Sequence, residues 1–298
     1  MLEIQDPFSY AANLFDPPPI TSKWYCDRVN CDGEPHDEWH FCEHPLPHPE
    51  GDEYWKCRHA RWNQCPPDGE WRTWLLMAGR GFGKSRTGAE WISKGARSKP
   101  ASNWAAVAPT RDDLKATMFE GDSGILNALE MHRDDDAYNK TDMVIRLPNG
   151  SMIRGLSAER PERTRGPNLS GAWLDELAIW RYPETYDDLL PALRRGDART
   201  VITTTPRPVP LIKELVHRTD DSVRITRGSM WDNKANLAKA ALDDLQIRWE
   251  GTRLAKQELY GELLEDDPGA LWTHEMIENT RCEMDGLPDF SDFFKKIA

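Results

Sequence analysis

The sequence predicts an α/β fold in which helices flank a mostly parallel β-sheet. Two observations support this prediction. Short apolar runs alternate with helical patterns between about residues 60 and 208, and a glycine-rich turn joins the first of these runs to a helix-prone segment. Strands that are separated by helical stretches are typical of a parallel sheet with helices on its faces.

The apolar runs give the predicted strands in chain order, and they lie at residues 73–78, 103–108, 143–147, 151–156, 171–176 and 200–205. Asn149-Gly150 separates the third run from the fourth and predicts a hairpin, so this pair is the antiparallel exception. From about residue 209 the pattern is helical, most clearly over 235–264. We therefore expect an irregular arm at 1–58, an α/β core at 59–208, a small helical subdomain at 209–272 and a linker at 273–298.

Composition limits the class of protein. The 298 residues suffice for one large domain or two smaller ones, and the net charge is −12. No apolar run approaches the roughly 20 residues that span a bilayer, and the N-terminus lacks a signal-peptide pattern, so a cytosolic protein without membrane contact is expected. The acidic balance disfavours a simple nucleic-acid coat but allows a local basic patch.

The glycine-rich turn "AGRGFGKS" (78–85) lies between an apolar strand and a helix, which is the context of a phosphate-binding loop. Its backbone N–H groups and the helix N-terminus favour a triphosphate. Lys84 is predicted to reach the β- and γ-phosphates, and Ser85 to bind Mg²⁺. The alternative is a glycine-rich turn that binds nothing. The predicted nucleotide contacts here are Gly79, Arg80, Gly81, Gly83, Lys84, Ser85 and Arg86.

A second acidic strand, "GAWLDELAIW" (171–180), supplies the carboxylates that such a loop requires. Asp175 is predicted to orient Mg²⁺ through its water shell, and Glu176 to polarise the attacking water as general base. An apolar run followed by Asp-Glu usually means a strand that ends at solvent. Its place about 90 residues after the turn favours the functional interpretation.

Together these motifs resemble the ATPase domain of bacteriophage terminase large subunits, the motors that package DNA into proheads. The resemblance covers roughly residues 58–298 and includes "RWNQCPP" (61–67), "TTTPRP" (203–208) and "WEGTRLAKQELYGELLEDDPGALW" (249–272). It implies a RecA-like (ASCE-type) P-loop NTPase fold with a small helical lid. It also implies the cofactors ATP and Mg²⁺.

The resemblance assigns further roles by position. Gln64 is the expected adenine reader, and Arg80 is either a phosphate contact or a link between the P-loop and the lid. Thr203, Thr204 and Thr205 correspond to the coupling motif, although a β-branched run is also typical of an interior strand. Arg253 lies in the lid segment, and two interpretations stay open: it contacts the nucleotide, or it is an exposed arginine on a helix.

An arginine supplied to a neighbouring subunit's ATP is also implied. Arg165 is the expected residue, with Arg160 and Arg163 as competitors and an ordinary surface arginine as the alternative. Such an arginine neutralises charge that develops on the γ-phosphate. The expected assembly is therefore a homo-oligomeric ring.

The implied partners are double-stranded DNA, the portal protein and the small terminase subunit, in the host cytoplasm and not in the mature virion. Basic loops such as 192–199 are candidates for DNA contact, although Arg194 and Arg195 also suit helix-end cations. The rivals are another ATP-dependent translocase or helicase, and a non-catalytic nucleotide-binding assembly module. Terminase large subunits usually carry a nuclease domain as well, whose first strand would start near Ala298, so cleavage is not expected from these residues.

Four cysteines of the arm, Cys26, Cys31, Cys42 and Cys57, have the spacing C-x4-C-x10-C-x14-C with histidines nearby. The first gap suits Zn²⁺, whereas the second pair is not a close C-x2-C. A zinc site and reduced, partly buried cysteines are both open.

Overall fold

A computed structural model describes residues 23–26, 40–43, 60–166, 168–218, 220–264, 276 and 280. The strands are β1 (Lys23–Cys26), β2 (His40–Glu43), β3 (Thr73–Ala78), β4 (Asn103–Ala108), β5 (Tyr138–Asn139), β6 (Val144–Arg146), β7 (Met152–Ser157), β8 (Gly171–Asp175), β9 (Arg199–Thr204) and β10 (Val223–Gly228). β1 and β2 form a separate antiparallel pair. The other eight strands form the main sheet.

The main sheet has the order β10-β3-β9-β8-β4-β7-β6-β5. Its first six strands are mutually parallel, and only the last two pairings are antiparallel. β9 lies between β3, which precedes the glycine-rich turn, and β8, which carries the acidic pair. All six predicted strands are present within a residue or two of their expected bounds, so the predicted α/β class is confirmed.

The Asn149-Gly150 hairpin is also present. β6 and β7 are antiparallel neighbours, with Ile145 opposite Ile153. Gly150 has φ +81°, a left-handed backbone conformation that glycine adopts at no steric cost. The turn closes through hydrogen bonds between Leu147 and Ser151 and between Gly150 and Leu147.

The helices lie on both faces of the sheet. They are α1 (Lys84–Ser98), α2 (Arg111–Asp113), which continues as a π-helix (Leu114–Phe119), α3 (Ile125–Ala128), α4 (Glu184–Leu189), α5 (Pro210–His217), α6 (Lys239–Trp249) and α7 (Arg253–Glu258). A 3₁₀ segment, Met230–Asn236, follows β10 and begins with a capping box at Ser229. No helix in the described part of the chain is long and apolar enough to cross a membrane.

The core consists of two layers, because side chains alternate across each strand. On β3, Trp74 and Leu76 pack under α1, whereas Leu75 and Met77 pack on the opposite face. β4, β8 and β9 divide their side chains in the same way. Every residue of β3 is buried, as expected for a strand covered on both faces. This rigid centre fixes the ends of β3, β8 and β9 relative to one another.

The region after residue 208 differs from the helical expectation in one element. Val223–Gly228 forms β10, which pairs in parallel with β3 over its whole length. The main sheet therefore extends beyond residue 208. The sequence of β10, "VRITRG", alternates only weakly between apolar and polar residues and contains two arginines. Pairing with β3 therefore determines the strand conformation of β10 more than its own sequence pattern does. α6 and α7 form as the helical pattern predicts.

Candidate active site

The glycine-rich turn connects the C-terminal end of β3 to the first residue of α1. Gly81 and Gly83 have φ +71° and +100°, and Gly83 is the N-cap of α1. A side chain at Gly83 would place its Cβ 2.9 Å from the Gln64 amide nitrogen. The two glycines therefore allow a backbone path that residues with a Cβ rarely adopt.

Lys84, the first residue of α1, is 8% exposed, and its ammonium group is held on several sides. Its Nζ donates to the carbonyl oxygens of Ala78 and Gly79 at 3.0 and 3.1 Å and to Thr205 Oγ1 at 3.1 Å. Glu176 Oε1 lies 3.8 Å away. Burial lowers the pKa of Lys84, and the neighbouring carboxylate of Glu176 opposes this shift.

The acidic pair stands at the end of β8 in two different environments. Asp175 is 5% exposed and accepts a 2.6 Å hydrogen bond from Thr203 Oγ1. Burial raises the pKa of Asp175 to about 7, and the charge of Glu176 adds to this shift. Glu176 has φ +49°, a strained conformation for a residue other than glycine, and its side chain is 29% exposed. The turn thus directs Glu176 toward solvent next to Lys84, while Asp175 stays inside.

The three threonines at the end of β9 contact different partners. Thr203 bonds Asp175, and it also accepts a hydrogen bond from Trp173 Nε1 at 2.7 Å. Thr204 Oγ1 accepts from the Ala178 N–H at 3.2 Å. The Thr205 N–H donates to Glu176 Oε2 at 3.1 Å, and its hydroxyl accepts from Lys84. The end of β9 is therefore connected to both carboxylates and to the lysine.

The C-terminal end of α7 closes against the turn. The Arg80 N–H donates to the Glu258 carbonyl oxygen at 2.6 Å, and Arg80 Nε is 2.6 Å from Glu258 Oε2. Burial raises the pKa of Glu258, but the hydrogen bonds from Arg80 and Gln257 together with the charges of Arg80 and Arg207 outweigh burial, so the pKa is lowered. A Cβ on Gly79 would lie 2.3 Å from the Leu259 carbonyl oxygen. Arg80 therefore joins the turn to the lid segment here, and its contact with a phosphate stays a prediction.

Gln64 lies beside the turn, in the 3₁₀ segment Trp62–Gln64 that precedes β3. Its Nε2 donates to Thr87 Oγ1 at 3.0 Å and to the Gly83 carbonyl oxygen at 3.3 Å. Arg61, three residues earlier, is buried, and its guanidinium lies 4.6 Å from the centre of the Phe82 ring. The segment before β3 is thus packed directly on the turn and on α1.

These groups surround one cavity of about 1050 Å³ at the carboxyl edge of the sheet. The predicted residues that line it are Gln64, Arg80, Gly81, Gly83, Lys84, Ser85, Arg86, Glu176 and Thr205. Gly79, Asp175, Thr203 and Thr204 lie behind this lining. The Gly79 N–H donates to the Gly228 carbonyl oxygen at 3.0 Å, and the nucleotide contact at Gly79 stays a prediction.

Residues 75–279 match the family described as terminase large subunit, T4likevirus-type, N-terminal. The chain belongs to this terminase family. The match covers more than half of the 298 residues and includes the P-loop, the acidic strand and the lid.

Solved terminase structures share the fold. The ATPase domain of the Thermus phage P74-26 large terminase superposes with a TM-score of 0.52 at 18% identity, covering 65% of this chain and 90% of that domain. The large terminase of the thermophilic bacteriophage D6E, solved with ADP, gives 0.52 at 14% identity and covers 65% and 49% of the two chains. The structure of the D6E protein in complex with ATP-gamma-S gives a TM-score of 0.52 at 15% identity and covers 65% of this chain and 48% of that chain. The match thus spans about half of the D6E protein. Among curated proteins no match was found.

This likeness confirms the predicted RecA-like fold of the terminase core. In this chain the strand order places β9 between the P-loop strand β3 and the acidic strand β8. That order brings the ends of three strands to one edge and is the reason that Lys84, Glu176 and Thr205 meet.

Arg165 does not line the cavity that contains Lys84 and Glu176. Its side chain is 69% exposed and forms a 2.9 Å ion pair with Asp188 of α4. Arg160 and Arg163 are exposed on the same loop. None of these three arginines is among the described residues that line the cavity. Arg165 is therefore not placed against the cavity of its own chain, and its role toward a neighbouring subunit stays a prediction.

Two other predicted sets have different outcomes. Arg86 lines the cavity but pairs with Glu90 one turn along α1 and donates to Asn127 Oδ1 at 2.7 Å. Of the four cysteines, Cys31 and Cys57 lie outside the described residues. Cys26 and Cys42 are positions of β1 and β2, opposite His40 and Trp24. The zinc site stays a prediction.

Sequence reasoning did not single out several residues of this site. Arg61 and Asn233 donate to carbonyl groups of the P-loop, and Glu258 pairs with Arg80. Arg207, within the 203–208 motif, lines the cavity. Arg61, Arg207 and Glu258 lie inside the motifs that carry the resemblance. Asn233 lies in none of them, and it reaches the P-loop from a segment more than 150 residues further along the chain.

Proposed function

We propose that this chain hydrolyses Mg-ATP in the 1050 Å³ cavity and is the motor ATPase of a viral terminase. The observation that carries the proposal is the junction of Lys84, Glu176 and Thr205. A buried cation that binds phosphate lies 3.8 Å from a carboxylate that faces the cavity, and the end of β9 bonds both.

The residues of the cavity fit a magnesium–triphosphate. The left-handed glycines Gly81 and Gly83 shape a backbone cradle, Lys84 supplies positive charge, and the first turn of α1 is a favourable anion site. Ser85 and Asp175 would hold Mg²⁺, which shields the charge of the phosphate oxygens. Gln64, Arg80 and Arg86 would contact the nucleotide around this centre.

Within this arrangement Glu176 acts on the attacking water. Its Oε2 is fixed by the Thr205 N–H, which leaves the rest of the carboxylate directed toward the cavity. Proton acceptance by a positioned carboxylate is typically worth about 10²–10⁴-fold in rate. Thr203, Thr204 and Thr205 would transmit the change at the γ-phosphate to the strand ends, since they bond Asp175, the turn after β8 and Lys84.

The work output is translocation of double-stranded DNA into a procapsid. We keep the domain limits 1–58, 59–208, 209–272 and 273–298 as predictions, although β10, from the third segment, belongs to the main sheet. The partners that we propose are the portal protein, the small terminase subunit and further copies of this chain in a ring. The exposed Arg165 would reach a neighbour's ATP, and the exposed Arg194 and Arg195 are candidates for DNA contact.

The first test is Mg-dependent ATP hydrolysis per subunit over a range of protein concentrations, with Glu176→Gln beside the wild type. We expect hydrolysis to fall at least about 100-fold in Glu176→Gln while ATP binding is kept, because only the general base is removed. Retained hydrolysis in Glu176→Gln would overturn the role of Glu176. Failure of the wild type to bind Mg-ATP would overturn the proposed function.

A further inference from the structure

Three consecutive carbonyl groups of the P-loop are each held by a side chain from outside the loop. Asn233 Nδ2 donates to the Gly81 carbonyl oxygen at 2.6 Å. The guanidinium of Arg61 donates to the Phe82 carbonyl oxygen, and Gln64 Nε2 to that of Gly83 at 3.3 Å. The holders come from two segments, one before β3 and one after β10.

We infer that Asn233, anchored by Arg61, is a positioning residue that sets the P-loop backbone for phosphate binding. In a planar trans peptide the C=O and the following N–H point in opposite directions. Holding the carbonyls of Gly81 and Phe82 therefore also sets the directions of the next two N–H groups. The N–H of Phe82 makes only a long contact, 3.4 Å, with the Gly79 carbonyl oxygen.

The orientation of the Asn233 amide is fixed by its own neighbours. Its Oδ1 accepts from Arg61 at 2.6 Å and from Asn236 Nδ2 at 2.8 Å. The guanidinium of Arg61 has donors only, so the oxygen of the Asn233 amide must face it. The Nδ2 group must then face the Gly81 carbonyl. Asn233 is 7% exposed. Removing its amide would leave the Gly81 carbonyl without this donor at a buried position, which costs free energy because water does not replace the hydrogen bond.

The same contact connects the P-loop to the segment after β10. Leu237, which follows the Met230–Asn236 segment, places Cδ1 only 2.9 Å from where a Cβ of Gly81 would lie. The Met230 N–H in turn donates to the Leu259 carbonyl oxygen at 2.7 Å. A shift of this segment would therefore change the direction of the Gly81 peptide. Phosphate binding and the position of the lid-side segment are coupled through Asn233.

This inference rests on the proposed function, and its test uses a probe that has phosphates and no base. Binding of Mg-tripolyphosphate and of Mg-ATP is measured by calorimetry for the full chain and for Asn233→Ala and Asn233→Asp. Asn233→Asp keeps an acceptor for Arg61 and Asn236 but cannot donate to the Gly81 carbonyl. Asn63→Ala is the matched control. Asn63 is also buried and bridges the same two segments, through Asp232 at 3.2 Å, without a hydrogen bond to the P-loop.

We expect both Asn233 variants to bind tripolyphosphate and ATP about three- to tenfold more weakly, the effect of one lost hydrogen bond. The loss should be equal for the two probes, since the base is not involved. Asn63→Ala should bind as the wild type does, even where its melting temperature falls as much. Wild-type binding in the Asn233 variants, or an equal loss in Asn63→Ala, would overturn the inference. Lys84→Met, which removes the phosphate cation, reports separately on the proposed site and should lose binding of both probes.

Discussion

The P-loop and the arginine loop at 160–166 each present a cation, and the two cations are held in opposite ways. Lys84 is 8% exposed and has three hydrogen-bond acceptors in its own chain. Arg165 is 69% exposed and has one surface ion pair, with Asp188. Such a pair contributes little to stability and is easily exchanged. Lys84 is thus held in place by its own chain, whereas the role in trans that we propose for Arg165 requires its final position to come from contact with a neighbouring subunit.

The largest expected effect tests this difference directly. Arg165→Ala should reduce hydrolysis about 1000-fold in the assembled protein, because an arginine supplied in trans is worth at least that factor. ATP binding to the isolated subunit should stay unchanged. Mixing Arg165→Ala with Glu176→Gln should restore turnover, since the second variant supplies Arg165 to sites in which the first retains Glu176. The measurement is steady-state ATP hydrolysis at high subunit concentration.

Arg160→Ala and Arg163→Ala are the controls, because both arginines are exposed on the same loop. They should hydrolyse ATP as the wild type does. Loss of activity in Arg163→Ala with full activity in Arg165→Ala would assign the trans arginine to Arg163. Full activity in all three variants would show that no arginine of this loop acts on a neighbouring subunit's ATP.

A smaller effect compares the same substitution in the two regions. Gly88 lies on α1, and a Cβ there would come within 2.1 Å of the fully buried Trp173 ring. Gly88→Ala should therefore lower the free energy of unfolding by about 1–3 kcal/mol. Gly166→Ala in the arginine loop meets nothing within 4 Å and should stay within about 0.5 kcal/mol of the wild type. Urea denaturation measures both, and a neutral Gly88→Ala would contradict close packing of α1 on the Trp173 ring.

The smallest effect concerns a second cation on α1. Burial lowers the pKa of Lys94 to about 7. Between that value and the ordinary value of 10.5 the folded chain binds fewer protons than the unfolded chain, so the contribution of Lys94 to stability rises with pH. Lys94→Met should stabilise the protein at pH 7 by about 1 kcal/mol or less, since the ammonium keeps part of its water. The gain should shrink toward pH 10.

Arg163→Met provides the matched control in the arginine loop, where the cation is exposed. Its unfolding midpoint should differ little from that of the wild type at any pH between 7 and 10. A gain from Lys94→Met that does not decrease with pH would contradict the role of burial. Both variants are compared by urea denaturation at several pH values.

Much of the core was predictable because its signals are local. The buried strands β3, β4 and β8 are mainly apolar and β9 is a run of β-branched residues, and the turn between β6 and β7 has the Asn-Gly pair typical of a hairpin. β10 was not predicted, since "VRITRG" becomes a strand only beside β3. The P-loop and the acidic pair were found from their residue pattern and spacing, and the threonines from the resemblance to terminases; the three sets lie together at one edge of the sheet. Their chemical roles stay predictions for the experiments above.

The sequence by itself determined the class of fold, the place of the phosphate-binding loop and the residue types that face it, because glycine, lysine and carboxylate act through local backbone geometry and charge. Only the tertiary structure decided which distant groups complete the site. Asn233 and Arg61 are 172 residues apart and meet on the P-loop because β10 pairs with β3. Glu258 reaches Arg80 across 178 residues through the end of α7. Such contacts depend on strand order and packing, which no short stretch of sequence specifies.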